Sequence, residues 1–502
     1  MVPETIKHFI GGREARSSYL KTFAVADPAT GKEYARVEVG VAADVNQAVL
    51  AARAAFESGP WPGLTLLDRA GVLERIADGI ESRAGEIADF EALGTGLPVT
   101  QAREQAARAA DCFRLAAGVI TARHQDSPLP PDQSGYTLRG PAGVAGVVTS
   151  WRAPFLAQAR AVAPALAAGC AVVLQTDPWV PLSAALLPEI TTAAGLPGGV
   201  LNIVHGTGSW RGAEAGTEAR DALVTHEGVP VLSIVGDATV GVQAARDAAA
   251  HAKRVSADLA GHSPCVIFAD ADLDRAADSA LFGAFALNGG RRTATSRILA
   301  DRRVYEDVVT RLAHGAARIR VGSPSDPATE VGALVHAAHY DRVVSCVRRG
   351  IRDGARLAAG GRRPAGLAEG NYLSATVLAD VTPEMQIFAE VISAPVACVT
   401  PFDTEEEAVT LARAVACAPA AYLWTSDRQR ARRLAAAIGS AMTWVNSHNP
   451  RDLRTPPGWA AGEPESESSQ GGIDFYTQSS AIHITADDGP APRLGGLGGL
   501  GG

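Results

Sequence analysis

The sequence has little of three things that mark special classes of protein. Positive charge is not in excess, because the sequence contains 46 Lys and Arg residues and 54 Asp and Glu residues, which gives a net charge of -8. This balance excludes a basic surface for nucleic acid. Cysteine is scarce, with six in 502 residues and no CxxC spacing, so neither a disulfide framework nor a metal site is predicted. No long apolar run is present, so we expect no signal peptide and no membrane span. These absences favour a cytoplasmic protein without nucleic acid, membrane or metal as a partner.

The order of apolar segments predicts an α/β architecture of two or three domains. From Gly140 onward, short β-branched runs such as AGVAGVVTSW and CAVVLQT alternate with helical stretches such as PFLAQARAVAPALAAG. This alternation is typical of a parallel, doubly wound sheet, which binds its ligand at the carboxyl ends of the strands. Helices are also predicted in DRAGVLERIADGIESRAGEIADFEALGTG, and a second αβ region runs from about Pro264 to Asn446.

Several segments, taken in order, carry a resemblance to a known family. HFIGGREA, DRAGVLERIADGIESR, GVVTSWRAP, AAGLPGGVLNIVHG, DLAGHSP and FALNGGRRTATSR together resemble the aldehyde dehydrogenase superfamily, from about residue 8 to 485. The resemblance implies a Rossmann-like nucleotide-binding-type domain in residues 1–122 and 144–252 and a catalytic-type αβ domain in 253–450. It also implies a small β oligomerisation bridge in 123–143 and 472–486, which would join the chain to itself as a dimer or tetramer. Residues 487–502 are low in complexity and are predicted to form a flexible Gly-rich tail.

The family's nucleophile position departs from the family pattern. Aldehyde oxidation in the family needs a cysteine thiolate that attacks the aldehyde. With Ser296 and Arg297 as the anchor, that position falls on Arg292, preceded by Arg291. Arginine remains protonated in proteins and has no lone pair suited to carbonyl attack, so it cannot replace the thiolate.

Two further catalytic positions have changed. The family's PWN motif, whose asparagine supports the oxyanion, reads SWR here, which keeps Trp151 and places Arg152 at the amide position. The general-base glutamate of the family's ELGG motif matches Asp258 in DLAG, which keeps the charge on a side chain one methylene shorter.

The positions that hold the dinucleotide in the family also differ. The lysine that binds the adenosine ribose falls on Gln175, and the glutamate that binds the nicotinamide ribose falls on Val391. The pyrophosphate turn reads GDATVG from Gly236, and a carboxylate at Asp237 would repel a pyrophosphate by about 1 kcal/mol or more. We therefore expect no cofactor, with NAD(P) binding kept as an alternative.

Two interpretations of the altered site stay open. If the fold is kept, we expect Arg152, Arg291, Arg292, Asp258 and His262 to converge. In the first interpretation Arg292 and Asp258 pair and fill an inactive pocket, since unpaired buried charge is costly. In the second the arginines grip the carboxylate or phosphate of an anionic small molecule while Asp258 moves a proton.

Three hypotheses for the function follow. The first is a homologue that has lost NAD(P)-dependent aldehyde oxidation and acts as a structural or regulatory subunit, in a homo-oligomer or beside an active relative. The second is an enzyme that uses the arginine pocket for non-redox chemistry on an anionic substrate. The third is an NAD(P)-dependent aldehyde dehydrogenase with an unorthodox nucleophile, for which Thr293 and Thr295 are the nearby hydroxyls and Asp258 the base.

Overall fold

The structure is a computed structural model, and it describes residues 2–122, 135–206, 218–236, 238–415, 419–447 and 470–483. The predicted tail, 487–502, and parts of both bridge segments lie outside the described residues. The helices are α1 Ala42–Ser58, α2 Leu66–Ser82, α3 Ala84–Thr95, α4 Val99–Ala122, α5 Pro154–Ala168, α6 Leu187–Ala193, α7 Glu218–Thr225, α8 Ala238–Ala249, α9 Leu273–Phe285, α10 Tyr305–Arg318, α11 Ala337–Arg352, α12 Gln386–Ala389, α13 Glu405–Arg413, α14 Arg428–Ile438 and α15 Gln470–Phe475. The strands are β1 Thr5–Ile6, β2 His8–Ile10, β3 Arg13–Ala15, β4 Thr22–Ala26, β5 Glu33–Glu38, β6 Gly135–Pro141, β7 Val144–Val148, β8 Ala171–Thr176, β9 Leu201–His205, β10 Val231–Gly236, β11 Arg254–Leu259, β12 Pro264–Ile267, β13 Arg297–Asp301, β14 Arg356–Ala359, β15 Thr376–Ala379, β16 Val396–Phe402, β17 Ala420–Trp424, β18 Met442–Val445 and β19 Thr477–His483.

The first large sheet has the strand order β11-β10-β7-β8-β9-β2-β3. Its five consecutive strands β11 to β9 run parallel, and β2 and β3 add an antiparallel edge. Strands β7, β8 and β9 are buried at every position, as expected where helices cover both faces of a parallel sheet. The parallel strands end side by side, with Val148 level with Gln175 and Val235 level with Asp258.

The second large sheet has the order β14-β15-β16-β13-β12-β17-β18 and is parallel except at β14. Two apolar cores pack on it, one built around α11 to α14 and the other around α9 and α10. Helix α10 shows why such helices form, because its buried residues Tyr305, Val308, Val309 and Leu312 recur at helical spacing along one face.

Helix α5 lies between the first sheet and the N-terminal helices. It begins with Pro154 at its first position, preceded by Ala153 in the left-handed region (φ 42°), and ends at Gly169 (φ 95°). Every residue of the helix except Arg160 is buried. Arg160 is therefore the single charged side chain of an otherwise uncharged and buried helix.

The two predicted isolated strands pair with each other. β6 and β19 form a two-stranded antiparallel ribbon in which Arg139 lies opposite Ser479. The α/β fold class predicted from the sequence is confirmed, although the N-terminal region contains β1 to β5 as well as the predicted helices. The domain boundary at residue 252 stays a prediction, and β11, which follows it, pairs within the first sheet. No helix in the described ranges is long and apolar enough to cross a membrane.

Candidate active site

A cleft with a cavity volume of about 100 Å³ opens where the carboxyl ends of the first sheet meet the loop after α9. It is lined by Gln105, Arg108, Ser150, Arg152, Ala153, Leu156, Ala157, Arg160, Val235, Gly236, Asp258, Ala260, Leu287, Gly290, Arg291, Arg292, Thr293 and Met442. Its place at the strand ends is the one that the doubly wound pattern predicts. Among these lining residues, five arginines accompany a single carboxylate.

Asp258 lies between two guanidinium groups. Its Oδ1 is 3.0 Å from Nε of Arg292, and its Oδ2 is 3.1 Å from Nη1 of Arg160. The side chains are 5%, 14% and 13% exposed, so this three-residue ion cluster is largely withdrawn from water. Because buried charges must be compensated, the cluster fixes the carboxylate at the end of β11.

Arg152 points toward a different part of the site. Its Nη2 donates to Oγ of Ser393 at 2.7 Å, and its guanidinium lies 4.5 Å from the ring of Trp151. The Trp151 ring in turn lies 5.2 Å from the ring of His339, whose pKa burial lowers to about 3. Arg152 is therefore a permanent cation fixed at one side of the cleft by an aromatic ring and a hydroxyl.

The loop that carries Arg291 and Arg292 is held rigidly. It turns through Leu287 (φ 55°) and Asn288 (φ 54°), a left-handed conformation that non-glycine residues rarely adopt. The side-chain amide of Asn288 donates to Gly96 O at 2.9 Å and to Ala333 O at 3.0 Å, and its oxygen accepts from Gly332 N at 2.7 Å. These three hydrogen bonds fix the backbone from which the two arginines project.

The candidate nucleophiles take different places. Thr293 lines the cleft, and its carbonyl accepts a hydrogen bond from the Tyr422 hydroxyl at 3.2 Å. Thr295 is buried under α9, where its Oγ1 donates weakly to Ala280 O at 3.4 Å, so it is removed from the cleft. None of the lining residues is a cysteine, and Cys417 lies outside the described residues. Burial raises the pKa of Cys265 and Cys398 to about 12, which makes both poor nucleophiles.

The predicted cofactor positions give a mixed result for a dinucleotide. Gly236 ends β10 in the cleft, and a Cβ built there would meet no heavy atom within 4 Å, so the backbone is uncovered at this strand end. The side-chain amide of Gln175 donates to its neighbour, Thr176 O, instead of facing the cleft. Val391 is half-buried and offers only apolar side-chain atoms. Asp237 lies outside the described residues.

The structure thus brings four of the five predicted site residues to one cleft: Arg152, Arg291, Arg292 and Asp258. The expectation for His262 is wrong, because its side chain is fully buried away from the cleft, its carbonyl accepts from Arg297, and burial lowers its pKa to about 3. Sequence reasoning missed Arg160. The signal was present, since Arg160 is the one charge in the otherwise uncharged segment PFLAQARAVAPALAA.

Fold and cleft define an α/β protein with two large, mainly parallel sheets and a charged cleft at the carboxyl ends of the first. The sequence model described as the aldehyde dehydrogenase family matches residues 15–482, and the chain belongs to this family.

The known proteins it resembles match over nearly the full length. The chain is 40% identical over 456 residues to the 5-carboxymethyl-2-hydroxymuconate semialdehyde dehydrogenase of Escherichia coli, covering 89% of this chain and 94% of that protein. It is 36% identical over 491 residues to the 2-hydroxymuconic semialdehyde dehydrogenase of Pseudomonas sp. (strain CF600), covering 95% and 99%. The NAD+ complex of the aldehyde dehydrogenase from Bacillus cereus superposes with a TM-score of 0.90 at 32% identity, covering 96% of this chain and 97% of that one.

Two expectations from the sequence are corrected by these comparisons. The hypothesis of a homologue without catalytic function is contradicted, because relatives at 40% and 36% identity are named as semialdehyde dehydrogenases. The expectation that no cofactor is bound is contradicted as well, because a family member of the same fold forms an NAD+ complex. Gln175 and Val391 still differ from the family pattern, and Gly236 is uncovered at the end of β10.

Proposed function

We propose that the chain is an NAD(P)-dependent dehydrogenase of aldehydes that also carry a carboxylate, and that the group attacking the aldehyde is not a thiol. The observation that carries this proposal is the cleft, which is lined by five arginines and one carboxylate, Asp258, next to the uncovered strand end at Gly236. A cleft of this charge attracts an anionic substrate. The relatives named above are semialdehyde dehydrogenases of muconic acids, which supports an aldehyde that bears carboxylate groups.

The dinucleotide would lie at the carboxyl end of the first sheet. Gly236 and the first turn of α8 would hold its pyrophosphate, and Trp151 and Arg152 would border its nicotinamide end. When bound, NAD(P) supplies a hydride acceptor. Arg152 occupies the position at which the resemblance to the family implies the asparagine that supports the oxyanion. Its cation would therefore stabilise the negative charge that develops on the oxygen of the attacked aldehyde.

Thr293 is our candidate for the attacking group. It lines the cleft and directly follows Arg292, whose Nε binds Asp258. Asp258 would accept the proton of the Thr293 hydroxyl as Oγ bonds to the aldehyde carbon, and it would release this proton to solvent once the hydride has left that carbon for NAD(P). It would then accept a proton from the water that attacks the resulting ester, and it would return that proton to Oγ of Thr293 as the acid leaves. Arg160 and Arg292 hold the carboxylate in place for both proton transfers.

A panel of aldehydes tests the proposed activity. The full-length chain would be incubated with NAD+ or NADP+ and either succinic semialdehyde or butanal, which differ in the carboxylate. We expect reduced nicotinamide with both and a higher kcat/KM for the carboxylated aldehyde. Absence of reduced nicotinamide with every aldehyde, in protein that unfolds cooperatively, would overturn the proposal.

Substitution of the candidate nucleophile tests the route. Thr293→Ala should abolish detectable turnover, whereas Thr293→Ser, which keeps a hydroxyl, should retain it. Full turnover in Thr293→Ala would remove Thr293 from the mechanism and leave the dehydrogenase proposal standing on the aldehyde panel.

We further propose that the chain associates with itself through the β6 and β19 ribbon. A two-stranded ribbon is marginally stable alone and offers unpaired edges, and its Leu138 side chain is 52% exposed. The five described cysteines, Cys112, Cys170, Cys265, Cys346 and Cys398, are free thiols, which supports the cytoplasmic setting favoured by the composition.

A further inference from the structure

Arg291 differs from the other cleft arginines in its surroundings. Arg160 and Arg292 bind Asp258, and Arg152 binds Ser393. Within the described residues, Arg291 forms no ion pair with a carboxylate, and its guanidinium stacks 4.9 Å from the ring centroid of Phe282. The face of an aromatic ring attracts a cation only weakly compared with a carboxylate, so most of the charge stays uncompensated.

Arg291 is also largely buried, so water compensates little of its charge. Burial lowers the pKa of Arg291 from its ordinary value, and Arg108 lowers it further, whereas Tyr422 and Glu104 raise it. Glu104 and Arg108 are exposed residues of α4, so water screens both of them. A largely buried cation without an adjacent carboxylate is stabilised most by an anion that enters from outside.

Arg291 lies at the junction of two clefts, which differ in the charges that line them. Arg291 lines the cleft that contains Asp258 and also a second cleft of about 600 Å³, between α4, α9 and α10. The wall of the second cleft carries three acidic and three basic side chains, so its charges balance and it has no preference for anions. These side chains are Glu104, Asp278, Glu330, Arg108, Arg291 and Arg318. The first cleft has five arginines and one aspartate. The balance of charge at Arg291 therefore favours an anion on the side of the first cleft.

The backbone supports a prebuilt site. Arg291 follows the turn fixed by the three hydrogen bonds of Asn288, and its own carbonyl accepts from Ala294 N at 3.1 Å. Gly289 admits no side chain, because a Cβ there would lie 2.1 Å from Ala394 O. A cation on so rigid a loop loses little freedom when it binds, which favours selective recognition.

We propose that Arg291 is a specificity-determining residue that binds the carboxylate remote from the aldehyde group of the substrate. This inference rests on the proposed function for the identity of the substrate. The guanidinium fork binds a planar carboxylate through two parallel hydrogen bonds, a geometry that a lysine cannot supply.

Binding of unreactive anions, measured by calorimetry without cofactor, tests the assignment. The probes are adipate, which has two carboxylates, pentanoate, which has one, and inorganic phosphate. We expect adipate to bind most tightly, Arg291→Gln to lose about 10-fold or more of that affinity, and Arg291→Lys to recover part of it. Arg413→Gln, an exposed arginine at the end of α13, is the matched control and should bind adipate as the parent chain does.

Two results would overturn the inference. One is adipate binding that is unchanged in Arg291→Gln. The other is phosphate binding as tight as adipate binding and equally sensitive to Arg291→Gln, which would make the site a general anion site or one for cofactor phosphate.

Kinetics separate this inference from the proposed function. If turnover occurs, Arg291→Gln should lower kcat/KM more for succinic semialdehyde than for butanal, with the difference mainly in KM. Loss of adipate binding in Arg291→Gln together with no turnover of any aldehyde would support the anion site and refute the dehydrogenase proposal.

Discussion

Single residues decide most of the chemistry of this cleft, and Asp258 is the first of them. Removing its charge in Asp258→Asn leaves Arg160 and Arg292 without their shared carboxylate inside the protein. Breaking a buried ion cluster typically costs about 3 to 5 kcal/mol of unfolding free energy, and losing a general base costs about 100-fold or more in turnover. Denaturant unfolding and aldehyde turnover measure the two effects.

An exposed ion pair provides the control for this variant. Asp403 binds Arg302 on the surface, with both side chains more than half exposed. Asp403→Asn should change neither stability nor turnover appreciably, because water screens such a pair. If Asp258→Asn behaved like Asp403→Asn, the buried cluster would have no role in the fold or in the reaction.

Glu91 gives a prediction about pH. It is fully buried, and its carboxylate accepts hydrogen bonds from Phe155 N at 2.7 Å and from Ser183 Oγ at 3.4 Å, at the start of α5. Burial raises its pKa to about 7, although these two hydrogen bonds lower it in part. Because the folded-state pKa is the higher one, the stabilising contribution is complete below the ordinary value of 4.5 and is lost as the pH rises through about 7.

Replacing the acid with an amide should remove this dependence. We expect Glu91→Gln to gain stability relative to the parent chain between pH 5 and 8, by an amount on the order of 3 kcal/mol, since the amide carries no buried charge. Denaturant unfolding of both proteins across this range is the measurement. A stability difference that does not change with pH would show that Glu91 is not protonated in the folded state near neutrality.

At the scale of elements, the loop after α9 determines where the arginines lie. Asn288→Ala would remove three hydrogen bonds and place alanine at a φ of 54°, where asparagine is better tolerated. We expect a loss of about 2 to 4 kcal/mol in unfolding free energy and faster amide exchange around residues 287–294.

Asn371 provides the control variant for Asn288→Ala. Asn371→Ala removes one side-chain hydrogen bond, to Leu334 O at 3.1 Å, and should cost less. Equal losses in the two variants would mean that the turn is held by other contacts.

The sequence could predict elements better than contacts. Periodicity found the helices and parallel strands, and their order placed the cleft at the carboxyl ends of the first sheet, because these features depend on local patterns. The partners of Asp258 include Arg160, which lies nearly a hundred residues away in the chain, so no local pattern joins them. His262 was misplaced because the burial of its side chain depends on tertiary packing, which no local pattern shows.

At the scale of the whole molecule, the ribbon of β6 and β19 predicts assembly. Leu138→Arg places a charge on the exposed face of the ribbon and should lower the mass of the particle toward the 51.8 kDa of one chain. Leu67→Arg, at a leucine of α2 that is 74% exposed, is the control and should leave the mass unchanged. Light scattering at several concentrations gives both masses. A parent chain that is already a monomer would contradict the proposed association.

Product analysis of one reaction tests the central claim most directly. The full-length chain would be supplied with succinic semialdehyde and NAD+, and separately with NADP+, and the reduced nicotinamide and the dicarboxylic acid would be quantified in the same sample. The account predicts that both appear in equal amounts, that iodoacetamide does not slow their formation, and that Asp258→Asn forms neither. Recovery of unchanged aldehyde and oxidised nicotinamide from protein that is folded by its unfolding transition would contradict it.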